Sequence, residues 1–401
     1  MKNPSFICTN CNEIFPFDRV HPRCDRCGEP LEVPSVEKGS IRQGDALNQT
    51  VFERYAEFLP FSPEDQVISL HEGFTPLIES SGIAAELGLQ RVFLKDETRN
   101  PTWSFKDRGT AAGVMHALGL GYRRIGTVSS GNMAASVAAY GARANLDVCI
   151  LVDSRIPPEK LNPIAVYNPD LVRVAGDYGR LYFESLKVGR RQGIYFINSD
   201  VPLRVEGSKT IAFEICEQLN FEVPDYVVIP TSAGGNLRGI LKGFEEFQHC
   251  GLIGRVPKII SAQAVGCSPI YHAFVSGEDR VKPFPDPGTI AHAIENPFPP
   301  SGNEVLRKVR RQSGIVTAVT DEEILQAQKR LAEEGLFGQP AAAVPLAAVR
   351  KLCCEGIMGK DATAACIVTG GGLKYTAALE RLDFAIRDCR LQDLDGCIQR
   401  S

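Results

Sequence analysis

The chain has 401 residues, enough for two lobes of ordinary domain size and a small appendage. Hydrophobic residues make up 44% and charged residues 23% of it, a balance typical of a folded protein with a large core. A net charge of −4 provides no basic surplus, so neither nucleic acid nor an anionic membrane is expected as the main partner. No apolar segment of signal-peptide or membrane-spanning length occurs, and we expect a cytoplasmic protein.

The first 35 residues carry two C-x2-C pairs with twelve residues between them: Cys8 and Cys11, then Cys24 and Cys27. Because each pair brings two thiolates to one tight turn, two pairs can complete a tetrahedron around Zn2+. Thirteen cysteines in 401 residues are too sparse for a disulfide scaffold, so the thiols are expected to be free or to bind a metal. The alternative to a metal site is that these four cysteines are unrelated and simply buried. Residues 1–35 are therefore predicted to form a zinc ribbon, in which the ion is structural and supplies folding energy.

The sequence NPTWSFKDRG at residues 100–109 places Trp103 and Phe105 beside Lys106, and a helix is predicted to begin at the Asp-Arg-Gly that follows. An amine used in chemistry must be held and partly removed from water, because desolvation lowers its pKa and leaves a neutral, nucleophilic fraction. The aromatic neighbours of Lys106 therefore indicate a chemical role rather than a place on the surface.

Strand and helix patterns alternate along the rest of the chain. Apolar runs typical of strands occur at residues 124–129, 146–152, 170–175, 193–198, 225–230, 257–265 and 364–370. Helical patterns occur at residues 131–143, 177–190, 207–219, 236–248, 321–334 and 340–354. This alternation predicts an α/β fold of parallel sheets with helices on both faces. The proline-rich region 281–301 is expected to be irregular, as a lid or an interface arm.

Three loops rich in small residues follow predicted strands. They contain Ser129, Ser130, Gly131 and Asn132 in the first, Ser232, Ala233, Gly234, Gly235 and Asn236 in the second, and Thr369 with three glycines in the third. Ligands of open α/β folds bind at the carboxyl ends of strands. Free N–H groups at a helix start favour an anion, a carboxylate at the first loop and a phosphate at the second. A plain helix cap at the first loop and a glycine turn at the third are the alternatives.

These motifs, in this order along residues 65–380, resemble the fold type II family of pyridoxal-phosphate enzymes, and within it the threonine synthases. The resemblance is carried by HEGFTPL at 71–77, SFKDRG at 104–109, SSGN at 129–132, NSDVPLRVEGSKT at 198–210 and SAGGN at 232–236. It implies two doubly wound lobes behind the zinc ribbon: a large cofactor-binding lobe of residues 36–105 and 200–401, and a small lobe of residues 106–199. We also expect a homodimer.

The resemblance implies a role for each cofactor-binding residue. Lys106 would carry pyridoxal 5'-phosphate as a Schiff base and serve as the catalytic base, beside Phe105. Asn132 would bind the 3-hydroxyl of the pyridine ring, and Thr369 would meet the ring nitrogen. The cofactor phosphate would lie against the second loop, at Ser232, Ala233, Gly234, Gly235 and Asn236.

The substrate side is implied in the same way. Ser129, Ser130 and Gly131 would bind the substrate, and Asn198 and Arg204 would hold a phosphate on it. A salt bridge from Arg204 to Glu206, or to another acid at the same helix start, is the alternative for that arginine. The expected partner is therefore a small amino acid that carries a phosphate.

A hydroxyl at the ring nitrogen leaves that nitrogen uncharged, which suits elimination and replacement better than transamination. The predicted enzyme is a phosphate-eliminating carbon–oxygen lyase that converts O-phosphohomoserine and water to threonine and phosphate. The alternatives are a replacement on O-phosphoserine like that of cysteate synthase, a threonine or serine dehydratase, and a non-catalytic scaffold.

Four positions depart from the threonine synthase pattern. Trp103 stands where those enzymes commonly have glycine, Met133 replaces threonine, and Gly371 replaces histidine. Ala233 lies in a loop that often reads GNxGN. We expect the indole of Trp103 to narrow the cavity beside Lys106, and Met133 to remove a hydroxyl from the anion site.

Overall fold

The computed structural model describes residues 4–21, 23–44, 48–60, 68–176, 178–381 and 389–393. The strands are β1 (Ser5–Cys8), β2 (Ile14–Pro16), β3 (Leu31–Glu32), β4 (Leu77–Glu79), β5 (Arg91–Asp96), β6 (Arg124–Val128), β7 (Asp147–Asp153), β8 (Asp170–Val174), β9 (Tyr195–Phe196), β10 (Tyr226–Pro230), β11 (Lys258–Ala264), β12 (Ile315–Val319) and β13 (Thr363–Val368). The helices are α1 (Val51–Arg54), α2 (Ser81–Leu87), α3 (Lys106–Gly119), α4 (Asn132–Arg143), α5 (Pro158–Ala165), α6 (Tyr178–Gln192), α7 (Pro202–Gln218), α8 (Gly235–His249), α9 (Pro269–Val275), α10 (Gly302–Arg311), α11 (Asp321–Glu333) and α12 (Pro340–Cys354).

Within the described residues the strands form three sheets. The N-terminal sheet is antiparallel, in the order β2-β1-β3. A four-stranded parallel sheet has the order β8-β7-β6-β9. The largest sheet has the order β12-β11-β10-β13-β5-β4 and is parallel except for the edge strand β4. The α/β prediction is confirmed, with a mixed rather than a purely parallel large sheet.

The predicted strands and helices differ from the observed ones mainly at their ends, but there are two larger differences. The strand predicted at 193–198 is reduced to β9, and strands β4, β5 and β12 have no counterpart among the predictions. The reason is clear for β5, whose charged residues suggest a surface segment. Lys95 in β5 is fully buried because its ammonium binds Glu214 and the carbonyl of Thr75, each at 2.7 Å.

Helices α3 and α7 cross at a contact that depends on glycine. A Cβ atom on Gly207 would lie 2.1 Å from the carbonyl oxygen of Arg108, and one on Gly109 would lie 3.0 Å from that of Arg204. Only glycine permits such an approach of two backbones. The contact holds Arg204 against the first turn of α3, which carries Lys106.

The strands of the four-stranded sheet all lie within residues 106–199, and those of the six-stranded sheet lie outside that range. The exact lobe boundaries stay a prediction. The region 281–301 contains no element longer than a 3-10 turn at His292–Ile294, and its role as a lid or arm also stays a prediction. None of the helices in the described residues is long and apolar enough to cross a bilayer.

Candidate active site

A cavity of about 300 Å³ lies where the N-termini of several helices meet. The predicted site residues that line it are Phe105, Lys106, Ser130, Gly131, Asn132, Arg204, Ser232, Ala233, Gly234, Gly235, Asn236 and Thr369. They come from the starts of α3, α4, α7 and α8 and from the end of β13. The structure thus brings together groups that are up to 264 positions apart in the chain, from Phe105 to Thr369.

Lys106 is the first residue of α3, and its ammonium lies 4.5 Å from the centre of the Phe105 ring. Burial, helped by the positive charge of Arg204, lowers the pKa of Lys106 to about 7. An amine with this pKa is about half neutral near pH 7 and can attack a carbonyl. The expectation from the aromatic neighbours therefore has a structural basis in Phe105.

The two residues after Lys106 join the start of α3 to different neighbouring segments. The carboxylate of Asp107 accepts hydrogen bonds from the backbone and hydroxyl of Thr102, both at 2.6 Å, and so ties the preceding loop to α3. The fully buried guanidinium of Arg108 binds Glu97 at 2.7 Å and Glu214 at 2.5 Å. These bonds fix the first turn of α3 to the turn after β5 and to α7, which limits how far Lys106 can move.

Arg204 is 4% exposed and lies in the cavity wall. Its guanidinium donates to the hydroxyl of Thr110 at 2.9 Å and to the carbonyl of Lys106 at 3.3 Å, and among the described residues no carboxylate lies within ion-pair distance. Burial lowers its pKa to about 10, in part offset by Asp107. The alternative salt bridge to Glu206 does not form, because Glu206 binds Lys209 at 2.6 Å and also binds Lys242.

The cavity is electrostatically one-sided. Four cationic side chains line it: Lys106, Lys160, Arg204 and Lys374. Among the described residues, no aspartate or glutamate lines the cavity. Burial lowers the pKa of Lys374 to about 8, with Asp107 acting in the other direction. Buried cations without acidic partners are costly unless an anion joins them. The arrangement is therefore that of an anion-binding site.

The N-termini of several helices add to the positive electrostatic potential of the cavity. Helices α3, α4, α8 and α12 all begin at the cavity, and none of them has a side-chain hydrogen bond at its cap. The first turn of each helix presents partial positive charge to the cavity. In the turn before α8, Gly234 has φ +98°, a conformation that glycine adopts without strain.

These residues fit pyridoxal phosphate. The buried amide nitrogen and oxygen of Asn236, at the start of α8, have no hydrogen-bond partner within the described residues, as expected of a group that awaits a ligand. Asn132 donates to Gln339 at 3.1 Å, and Gly370 lies against both amides. Thr369 ends its strand at the cavity, with its carbonyl fixed by the N–H of Phe105 at 3.1 Å. The residues that the sequence assigns to the amine, the phosphate and the ring nitrogen thus all line one cavity.

Two predicted substrate residues do not line this cavity. The amide of Asn198 is buried between the end of β6 and α6, where it accepts from the N–H of Val128 at 3.0 Å and donates to Ser185 at 3.0 Å. Ser129 lies just outside the lining and accepts from the N–H of Gly131 at 3.2 Å. Its neighbour Ser130 and the residue after Asn198, Ser199, do line the cavity.

The expectation that Trp103 narrows the cavity is wrong. The indole is 59% exposed and is not part of the lining. Trp103 has φ +59°, in the left-handed region of the backbone. Met133 is buried within α4 and does not line the cavity either, so the expectation that it removes a hydroxyl from the anion site is also wrong.

Several lining residues have no place in the sequence-based site. They are Lys160, Ser199, Ser208, His292, Gln339, Lys374 and Tyr375. The sequence does contain a signal for Gln339: proline is common at the first position of a helix, so Gln339, just before Pro340, is expected at a helix N-terminus. Lys160 has no such signal, since its ammonium reaches the Tyr375 ring, 4.9 Å from the ring centre, across the fold.

A second cluster lies in the N-terminal sheet. The sulfur atoms of Cys8, Cys11, Cys24 and Cys27 all lie within 4.8 Å of one another, and three of the separations are 3.4, 3.6 and 3.7 Å. A tetrahedral zinc with Zn–S bonds of about 2.3 Å has sulfur–sulfur edges of about 3.8 Å. The four thiols therefore lie close enough together to hold such an ion.

A family model described as pyridoxal-phosphate dependent enzyme matches residues 68–370. The chain belongs to this family, and it is a pyridoxal-phosphate dependent enzyme. Threonine synthase of Methanocaldococcus jannaschii is 38% identical to it over 377 residues, 92% of each chain. Threonine synthase of Methanosarcina acetivorans is 36% identical over 372 residues, 92% of this chain and 91% of the relative.

Solved structures show the same fold at lower identity. Maize serine racemase is similar with a TM-score of 0.68 and 22% identity, over 79% of this chain and 94% of that one. The processed form of threonine deaminase isoform 2 from Solanum lycopersicum is similar with a TM-score of 0.65 and 21% identity, over 88% of this chain and 99% of that one.

Proposed function

We propose that this enzyme converts O-phosphohomoserine and water to threonine and phosphate. The observation that carries the proposal is Arg204, a buried guanidinium in the cavity wall with no carboxylate partner among the described residues. It lies beside three further cations, more positive charge than the cofactor phosphate alone needs. The relatives named threonine synthase, at 36% and 38% identity, support the same conclusion.

Lys106, Arg204 and Ser130 each have a task in this reaction. Pyridoxal phosphate, when bound, withdraws electrons from the α-carbon of an amino acid. The amine of Lys106 accepts and returns the substrate protons, which its pKa of about 7 permits near neutral pH. Arg204 holds the phosphate that leaves. Ser130 and the N–H groups at the start of α4 hold the substrate carboxylate.

Thr369 limits the reaction to elimination and replacement. We assign its side chain to the ring nitrogen of the cofactor, where a hydroxyl cannot supply a negative charge. No aspartate or glutamate is among the described lining residues that could take its place. The ring nitrogen therefore stays uncharged, and transamination is disfavoured.

A substrate panel tests the proposal. Purified enzyme with the cofactor is incubated with O-phosphohomoserine, O-phosphoserine, threonine and serine, and phosphate, threonine and keto acids are measured. We expect phosphate and threonine in equal amounts from O-phosphohomoserine. Phosphate from O-phosphoserine only with an added nucleophile, or ammonia and a keto acid from threonine or serine, would contradict the proposal in favour of a replacement enzyme or a dehydratase.

Substitution of Arg204 tests the phosphate site directly. Arg204→Ala should reduce kcat/KM for O-phosphohomoserine by a factor that corresponds to about 2–4 kcal/mol, the scale of a lost desolvated charge-assisted contact. Arg255→Ala is the matched control, because Arg255 is 51% exposed at its side chain and pairs with Asp225 outside the cavity. An Arg204→Ala enzyme with unchanged kcat/KM would contradict the assigned role.

We also propose that Cys8, Cys11, Cys24 and Cys27 hold one structural Zn2+. Four thiolates complete the coordination of the ion and leave no open position for substrate. The homodimer and the cytoplasmic location expected from the sequence stay predictions.

A further inference from the structure

The N-terminal ribbon, residues 4–35, reaches the cavity wall through Arg23. The guanidinium of Arg23 binds the carboxylate of Asp200 at 2.6 Å and donates to the carbonyl of Pro300 at 2.8 Å. The Arg23 side chain is only 15% exposed and that of Asp200 is completely buried. Asp200 also accepts a hydrogen bond from the hydroxyl of Tyr182. This buried pair joins the ribbon to the segment that begins α7.

The segment at Asp200 supports one side of the phosphate loop, residues 232–236. A Cβ atom on Gly235 would lie 2.5 Å from the carbonyl oxygen of Ser199, so the two backbones are in direct contact. Ser199 itself lines the cavity. A shift of Asp200 would therefore move the wall against which the start of α8 is packed.

The ribbon supports the other side of the same loop through Arg238 on α8. Its guanidinium donates to the carbonyl of Leu31 in β3 at 2.9 Å and to the hydroxyl of Ser301 at 3.1 Å. The N–H of Ser301 in turn donates to the carbonyl of Ala233 at 3.0 Å. The Ser301 side chain lies 3.0 Å from where a Cβ atom of Gly234 would be. Both sides of the phosphate loop are thus fixed by contacts that lead to the ribbon.

We propose that Arg23 is a positioning residue for the phosphate loop, so that the ribbon sets the affinity of the enzyme for the cofactor's phosphate group. Backbone N–H groups bind a phosphate well only when they converge on it, and small displacements lose these bonds. Loss of Arg23 leaves the buried carboxylate of Asp200 without its cation, and Asp200 must then move toward water. This inference depends on the assignment of the cofactor phosphate to residues 232–236.

The test compares two ligands that differ only in the phosphate. The full-length protein without cofactor is titrated with pyridoxal phosphate and with pyridoxal, and binding is followed by absorbance. Arg23→Gln should raise Kd for pyridoxal phosphate about tenfold, the size of one lost hydrogen bond to a charged group. Its Kd for pyridoxal, which is held without the loop, should change less than about twofold. Arg23→Lys should recover part of the loss.

Arg26→Gln is the matched control. Arg26 lies in the same ribbon, but its side chain is 73% exposed and faces Glu13 at 3.8 Å. Both dissociation constants should stay at the wild-type values. Equal weakening of both ligands by Arg23→Gln would overturn the proposal, because it would indicate general damage, and so would unchanged affinity for both.

Asp200→Asn provides a second route if Arg23→Gln does not fold. It keeps the shape of the side chain, removes the charge that Arg23 binds, and should give the same selective loss for pyridoxal phosphate. No substrate enters the experiment, so a failure to make threonine leaves this result intact. Failure of the wild type to bind pyridoxal phosphate more tightly than pyridoxal would overturn the loop assignment and the inference together.

Discussion

Lys106, Asp107 and Arg108 follow one another at the start of α3, yet each does something different. One faces the cavity, one ties down the preceding loop, and one is buried between Glu97 and Glu214. The lysine could be predicted from its aromatic neighbours. The roles of Asp107 and Arg108 depend on partners elsewhere in the fold, so local sequence does not reveal them.

The pKa of Lys106 leads to a pH prediction. Its lowered value of about 7 means that the neutral amine dominates above that pH. The rate at which cofactor-free protein binds pyridoxal phosphate covalently should rise with a midpoint near pH 7 and level off about one to two units above it, as measured by absorbance in a stopped-flow instrument. Arg204→Met should move this midpoint to higher pH, because the charge of Arg204 helps to lower the pKa.

Lys106→Ala is the control for this measurement and should show no covalent binding at any pH. A wild-type rate that keeps rising to pH 9 or above would contradict the assignment, since it would indicate an amine with the ordinary pKa of lysine.

The backbone conformation of Trp103 leads to a prediction about the stability of the fold. A non-glycine residue at φ +59° is strained by roughly 1–2 kcal/mol. Its indole is mostly exposed, so little burial is lost on substitution. Trp103→Gly should raise the free energy of unfolding by about 1 kcal/mol, after the greater flexibility of glycine in the unfolded chain is subtracted. Trp103→Ala should give no such gain, because alanine keeps the strain.

Urea titration of the two Trp103 variants distinguishes these cases. Equal midpoints for Trp103→Gly and Trp103→Ala would show that backbone strain is not relieved at this position.

At the scale of elements, the clustering of the four N-terminal cysteines is predicted well by the sequence, while the zinc ion itself stays a prediction. The spacing of these cysteines predicts a cluster, and the four sulfur atoms do lie together. Strand β5 is the clearest failure. Its charged residues resemble those of a surface segment, because the ion pairs that permit their burial involve α7, more than a hundred residues away.

The ribbon should contain one zinc ion per chain. Protein purified under reducing conditions without chelator should show one equivalent by metal analysis, and Cys24→Ser should lose it and lower the melting temperature, because the ion supplies folding energy that the small ribbon core does not. With saturating cofactor the kcat should change little, since the ion has no open coordination position. Protein without zinc that melts at the same temperature would contradict this prediction.

At the scale of the whole molecule, the four cavity cations come from separate parts of the chain: α3, α5, α7 and the turn after β13. They repel one another in the folded state. An anion that binds them should therefore stabilise the fold, by about 1.4 kcal/mol at ten times its Kd.

Inorganic phosphate should raise the melting temperature of the cofactor-free protein more than chloride at equal ionic strength. Phosphate also stabilises proteins in general by exclusion from their surface, so the informative quantity is the difference from Arg204→Met. The variant should show a smaller phosphate-dependent shift. An identical shift in both proteins would mean that Arg204 takes no part in anion binding.

The sequence by itself determined the features that depend on neighbouring residues. These are the cysteine spacing, the reactive lysine beside an aromatic ring, and the loops of small residues that follow strands and begin helices. The α/β class follows from the alternation of such segments. All of this is encoded within stretches of about ten residues, where propensity and spacing act directly.

Only the tertiary structure decided which charged groups have partners. Glu206 is two residues from Arg204, yet it binds Lys209 and Lys242, which leaves Arg204 for the cavity. The amide of Asn198 is buried between β6 and α6, and Trp103 faces solvent. The physical reason is that the free energy of a buried charge or amide depends on the groups around it in space, and most of these are distant in sequence.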